Sequence, residues 1–121
     1  MIHKHTISLK NAWNGLKWSF KTQPNFIIHF LLSFIAISCG IFFKISYYEF
    51  LIIISFIFLG LTIEAINTGI EKTTDAIDRK WREDIKWAKD ISAGAMLIFA
   101  VGALTISCII FVPKIYQFFL Y

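Results

Sequence analysis

The charged residues of this chain fall in blocks, and the gaps between blocks are long and apolar. Between Lys21 and Lys44, residues 22–43 hold no ionisable side chain except His29. Residues 50–63 hold none between Glu49 and Glu64, and residues 91–112 run 22 positions without a charge. A membrane-spanning helix needs about 20 mostly apolar residues. The first and third stretches meet that length alone. The second meets it if its helix starts near Tyr47, which draws Glu64 into the membrane. The pattern therefore predicts spans at about 25–43, 47–69 and 91–112, the second extending beyond the bilayer to about residue 79.

The N-terminal arm has a different period. Leu9, Trp13, Leu16 and Phe20 recur at helical spacing, with Lys10, Asn14, Lys17 and Lys21 opposite them. This predicts an amphipathic helix over about residues 7–22, lying on the membrane surface with Trp13 as anchor. Ile7 and Trp18 fall on its polar side and interrupt the stripe. Pro24 marks the bend into the first span. The first 24 residues lack the apolar core of a cleavable signal.

Composition agrees. Hydrophobic residues make up 57% of the 121 positions, charged residues only 17%, and mean hydropathy is +0.65. A soluble domain this small leaves roughly a third of its unfolded surface exposed and could not hide that much apolar side chain. Disorder is excluded on the same ground. Two cysteines exclude a disulfide scaffold. Cys39 and Cys108, deep in the first and third spans, read as small apolar packers. A net charge of +4 without a basic stripe argues against a nucleic-acid partner. Lys and Arg concentrate before Pro24 and between residues 68 and 90, whereas the other two connections hold only Lys44 and Lys114. The positive-inside rule then sets the N-terminus in the cytoplasm and, after three spans, the C-terminus outside.

The informative interruption is at the inner end of the second span. At about 100° per residue, Glu64, Asn67, Thr68, Glu71, Asp75 and Asp78 share one arc of a straight helix. A carboxylate at membrane depth costs about 2.5–3.5 kcal/mol on insertion scales, so Glu64 is expected to act rather than to solvate a surface. A row of like charges calls for a proton or a cation between its members. Oxygen-only ligands suit Mg²⁺, which takes one or two carboxylates together with phosphates and water. Lys89, at the start of the third span, is placed to hold phosphate. Glu64 lies where a lipid hydroxyl could give it a proton. The implied chemistry is phosphoryl transfer at a membrane surface. No Walker A or glycine-rich kinase loop is present, so a nucleotide must be held by side chains.

These residues resemble the prokaryotic diacylglycerol kinase and undecaprenol kinase family. The resemblance rests on Glu64-x-x-Asn67-Thr68-x-Ile70-Glu71-x-x-x-Asp75 and on Ala88-Lys89-Asp90 followed by Ile-Ser-Ala-Gly-Ala. It also includes Ala12-Trp13-Asn14-Gly15-Leu16-Lys17 and the segment Asn25-Phe26-x-Ile28-His29. Together they cover about residues 8 to 112. The resemblance implies an all-α membrane protein with a surface helix and three transmembrane helices, one domain over 1–121. It implies a homotrimer in a bacterial inner membrane with sites shared between subunits. The implied activity is transfer of the ATP γ-phosphate to a membrane lipid alcohol. By position, Glu64 would be the general base and Glu71 a Mg²⁺ ligand. Asn67, Glu71, Asp75, Lys89 and Asp90 would contact nucleotide and phosphates, while Asn25, His29 and Thr68 would line the site or the lipid.

One position departs from the family pattern. Where a second metal-binding Glu is usual, this chain has Gln23, whose carbonyl can ligate Mg²⁺ without adding charge. Ile27 also stands where the undecaprenol-kinase branch often has a basic residue. The Ser92-Ala93-Gly94-Ala95 run and the Lys-Thr-x-x-Asn-Phe segment lean toward that branch nonetheless. Two other readings stay open. One is a small proton-coupled membrane protein using Glu64, although such acids usually sit near the midplane. The other is an inactive homologue, suggested only by Gln23. Ala93, Ala100, Ala103 and Ser107 form a small-residue stripe on the third span that reads as a packing face.

Overall fold

The computed structural model describes residues 2–121. Every element in them is helical: α1 (Ile2–Thr22), α2 (Pro24–Phe42), α3 (Tyr47–Ile77) and α4 (Glu83–Leu120). The three helices α2, α3 and α4 are long and apolar enough to cross a membrane. The chain is a multi-pass membrane protein. α3 packs chiefly on α4 and then on α2, and α1 packs against α2 and α3.

Helix boundaries differ from the expected ones where apolar content is a poor guide. α1 begins at Ile2 rather than near residue 7. α3 stops at Ile77, and Asp78 takes an extended conformation (φ −160°, ψ 134°) as its C-cap. Asp78 therefore leaves the helical arc it was expected to share, and its carboxylate instead accepts the Lys80 N–H at 2.9 Å. α4 starts eight residues before its apolar stretch, with Glu83 and Asp84 in a first turn that favours acids. It also continues through Pro113 to Leu120, where a tail was expected. An unpaired backbone is costly in an apolar medium, so the chain stays helical past the one bond that proline removes. Phe118 then docks against Phe42 and Phe43, with ring centroids 5.6 Å and 6.1 Å away.

The two ends of the bundle are built differently. Away from the acids, Ile45, Ile53 and Ile110 form an apolar core with Phe43, Phe50, Ile57, Ile106 and Phe111 around it. The α2–α3 turn closes on this core. Lys44 adopts a left-handed φ of 52° there. Ser46 and Glu49 form a reciprocal capping box, the Ser46 N–H donating to Glu49 Oε2 at 2.7 Å. Lys114 pairs with the same Glu49 oxygen at 3.2 Å, tying α4 to the start of α3. Cys39 is half-buried, but Cys108 is exposed and does not pack within the chain. The small-residue stripe splits likewise: Ala103 and Ser107 are partly covered, while Ala93 and Ala100 face outward.

Midway along the bundle, α3 and α4 approach through Gly60. A Cβ built there would lie 2.5 Å from the Phe99 ring. The accessible surface of the chain is 9443 Å². A compact monomer of 14.0 kDa would show about 6,700 Å². The difference is apolar helix surface that only lipid or further protein can cover.

Gly60→Ala should destabilise the bundle by about 1–3 kcal/mol, because the Phe99 ring has to be displaced. Gly15→Ala, where a Cβ meets nothing within 4 Å, should not. Thermal unfolding in detergent compares the two.

Candidate functional site

The acid-bearing end of the bundle is where α1, α2, α3 and α4 converge. Glu64, Asn67 and Thr68 are buried on α3, with 3%, 7% and 4% exposure. They lie on the face that meets α2 and α4. Glu71 and Asp75 continue that face outward and are partly covered. The expected alignment of these five residues is therefore found, and only Asp78 falls outside it.

Glu64 and Asn67 on this face each meet polar groups from another helix. Asn25, in the first turn of α2, faces the Glu64 carboxylate with its side chain. His29, one turn further along α2, places Nε2 3.9 Å from Glu64 Oε2. Glu71 is near enough to act electrostatically on Glu64. Ser92 on α4 donates its hydroxyl to Asn67 Oδ1 at 2.6 Å, with both side chains buried. One turn closer to the charged end, Lys89 Nζ donates to Asp75 Oδ1 at 2.6 Å. The face of α3 is thus fastened to α4 by two polar pairs and to α2 by a third contact. Against this junction, between α3 and α4, lies a shallow cavity of about 340 Å³ with Ile63, Ile66, Ile70, Ile91 and Ala95 in its walls.

Other expected site residues lie apart. Asp90 does not join the row; it pairs with Lys86 at 2.7 Å on the exposed side of α4. Gln23 occupies the corner between α1 and α2, its backbone extended (φ −110°, ψ 108°). Its amide donates to Thr22 Oγ1 at 3.2 Å and forms no hydrogen bond with Glu71. Ser92 is the residue that sequence reasoning overlooked as a partner. Its signal was its spacing, three residues after Lys89 and so on the same helical face. Trp18, which interrupts the apolar stripe of α1, receives Lys72 Nζ 5.2 Å above its ring. That cation–π contact docks α1 on α3 and accounts for the apparent irregularity.

Among the described residues no group of three His, Cys, Asp or Glu side chains comes together as a metal cage. Glu71 has no cationic partner there. A hard cation that keeps its water and binds phosphate needs only one or two carboxylates, so this donor set fits Mg²⁺ arriving with a nucleotide.

A buried carboxylate, continued by an amide, further acids and a lysine, makes one polar site at an end of this multi-pass membrane protein. Sequence comparison narrows the class. The sequence model of the prokaryotic diacylglycerol kinase family matches residues 10–111, and the chain belongs to that family. The undecaprenol kinase of Bacillus subtilis (strain 168) is 35% identical over 108 residues, covering 89% of this chain and 88% of its own length. The diacylglycerol kinase of Synechocystis sp. is 27% identical over 110 residues, covering 90% of this chain, which spans only 63% of that relative. The protein is a kinase, a phosphotransferase with an alcohol acceptor.

Ser92→Ala should leave Asn67 Oδ1 buried without a donor and cost about 1 kcal/mol. Ser92→Thr, which restores a hydroxyl, should recover part of that loss in the same unfolding measurement.

Proposed function

We propose that the protein is an ATP- and Mg²⁺-dependent lipid kinase that phosphorylates undecaprenol in preference to diacylglycerol. The observation that carries this reading is the graded face of α3. Its deepest group, Glu64, is buried at the level of the apolar segment, and the charged groups follow toward water. A lipid hydroxyl and a nucleotide can then meet along one helix from opposite directions.

In this reading Glu64 accepts the proton of the lipid hydroxyl. The freed oxygen attacks the γ-phosphorus of ATP, and the bond to the leaving ADP oxygen breaks. Asn25 keeps the carboxylate oriented. Asn67, Glu71 and Asp75 face the nucleotide, with Asp90 at the rim. Lys89 exchanges its Asp75 partner for a phosphate oxygen. Thr68 closes the buried side. Glu71, helped by the Gln23 carbonyl, would hold Mg²⁺, which when bound offsets phosphate charge. The excess apolar surface favours a homotrimer with shared sites, since one protomer offers too few walls for ATP and a lipid. The basic segments place the charged end and the N-terminus on the cytoplasmic side of a bacterial inner membrane.

The preference for undecaprenol draws on the Bacillus subtilis relative and on the Ser92-Ala93-Gly94-Ala95 segment. Purified protein with Mg²⁺ and labelled ATP should phosphorylate undecaprenol faster than diacylglycerol. The reverse order would make phosphatidic acid the main product, and no labelling of either lipid would refute the lipid-kinase reading. Glu64→Gln should lower kcat by about 10²–10⁴-fold while nucleotide binding persists. Gln23→Glu should lower the Mg²⁺ concentration needed for half-maximal rate. An unchanged Mg²⁺ dependence would remove Gln23 from the metal site.

A further inference from the structure

We propose that His29 is a positioning residue that fixes the carboxylate of Glu64 from the α2 side; the proposal rests on the lipid-kinase reading for what that carboxylate does. A glutamate side chain turns about three bonds, and burial alone does not choose its direction. Glu64 meets two polar groups of α2, Asn25 and His29, spaced one helical turn apart so that they bracket the carboxylate. His29 Nε2 lies 3.9 Å from Oε2, beyond hydrogen-bond length but within electrostatic reach.

The imidazole is itself held. Its side chain is 18% exposed. The Phe99 ring of α4 lies 6.0 Å from it, centroid to centroid. Phe99 is in turn seated over Gly60, one turn from Glu64 on α3. All three spanning helices therefore contribute to one notch in which the ring faces the carboxylate. A residue needed only to fill that notch could be any side chain of similar volume. A residue that orients Glu64 must present a polar nitrogen toward it.

Two substitutions separate these roles. In full-length protein reconstituted with Mg²⁺-ATP and a lipid alcohol, His29→Leu should lower kcat about ten- to a hundredfold at unchanged ATP KM, whereas His29→Gln should stay within about threefold of the parent. Parental kcat in His29→Leu overturns the proposal, as does an equal loss in both variants. A second measurement does not depend on turnover. The infrared band of the Glu64 carboxylate, assigned by its disappearance in Glu64→Gln, should shift in His29→Leu and hold its frequency in His29→Gln. A band unmoved by His29→Leu overturns the proposal, even if the parent protein phosphorylates no lipid alcohol. That last result would instead count against the lipid-kinase reading.

Discussion

Burying one carboxylate among apolar helices constrains this molecule more than any other single feature. Glu64 is 3% exposed. An acid taken out of water is tolerable only with polar neighbours. The neighbours come from α2, as Asn25 and His29. Once α2 is committed to that face, Phe26 is buried beside it and Gln23 is left at the corner where α1 departs. The close approach at Gly60 follows as well, since α4 must reach the same depth for Phe99 to cover the notch.

The rest of the bundle divides stability from chemistry by position. The end remote from Glu64 is held by the isoleucine core, a capped helix start and the Glu49–Lys114 pair. The acid-bearing end is held mostly by polar pairs, which are directional and exchangeable. Asn67–Ser92 is buried and fixes the register of α3 on α4. Asp75–Lys89 is more than a third exposed on each side and so contributes little to stability. It keeps the lysine oriented beside the carboxylate row instead.

Much of this was legible in the sequence, because spans and helical faces are local properties. Glu64, Asn67, Thr68, Glu71 and Asp75 share an arc for the simple reason that α3 runs unbroken through all of them. The misjudged parts depend on where helices end or on what crosses between them. Asp78 obeys the helical period but lies one residue past the helix. The continuation of α4 through Pro113 depends on the apolar medium and on Phe42 and Phe43, not on local propensity. The pairings of Ser92 with Asn67 and of Trp18 with Lys72 join residues distant in sequence; spacing gives the helical face of each residue but not its partner on another helix. Asp90 adjoins Lys89 in sequence, yet one residue of helical rotation turns it away from Asp75 and toward Lys86.

The unbroken length of α4 has a mechanical consequence. From Ile91 to Leu120 it is uncharged apart from Lys114, a rod of about 45 Å against roughly 30 Å of hydrocarbon. Such hydrophobic mismatch is relieved by leaning, by bending or by thickening the bilayer. The rod is fastened at Asn67 and Asp75 toward one end and by Ile110 and Lys114 toward the other, and Pro113, where a backbone bond is missing, is the point at which it bends most readily. The helix that must absorb this mismatch is the one that carries Lys89.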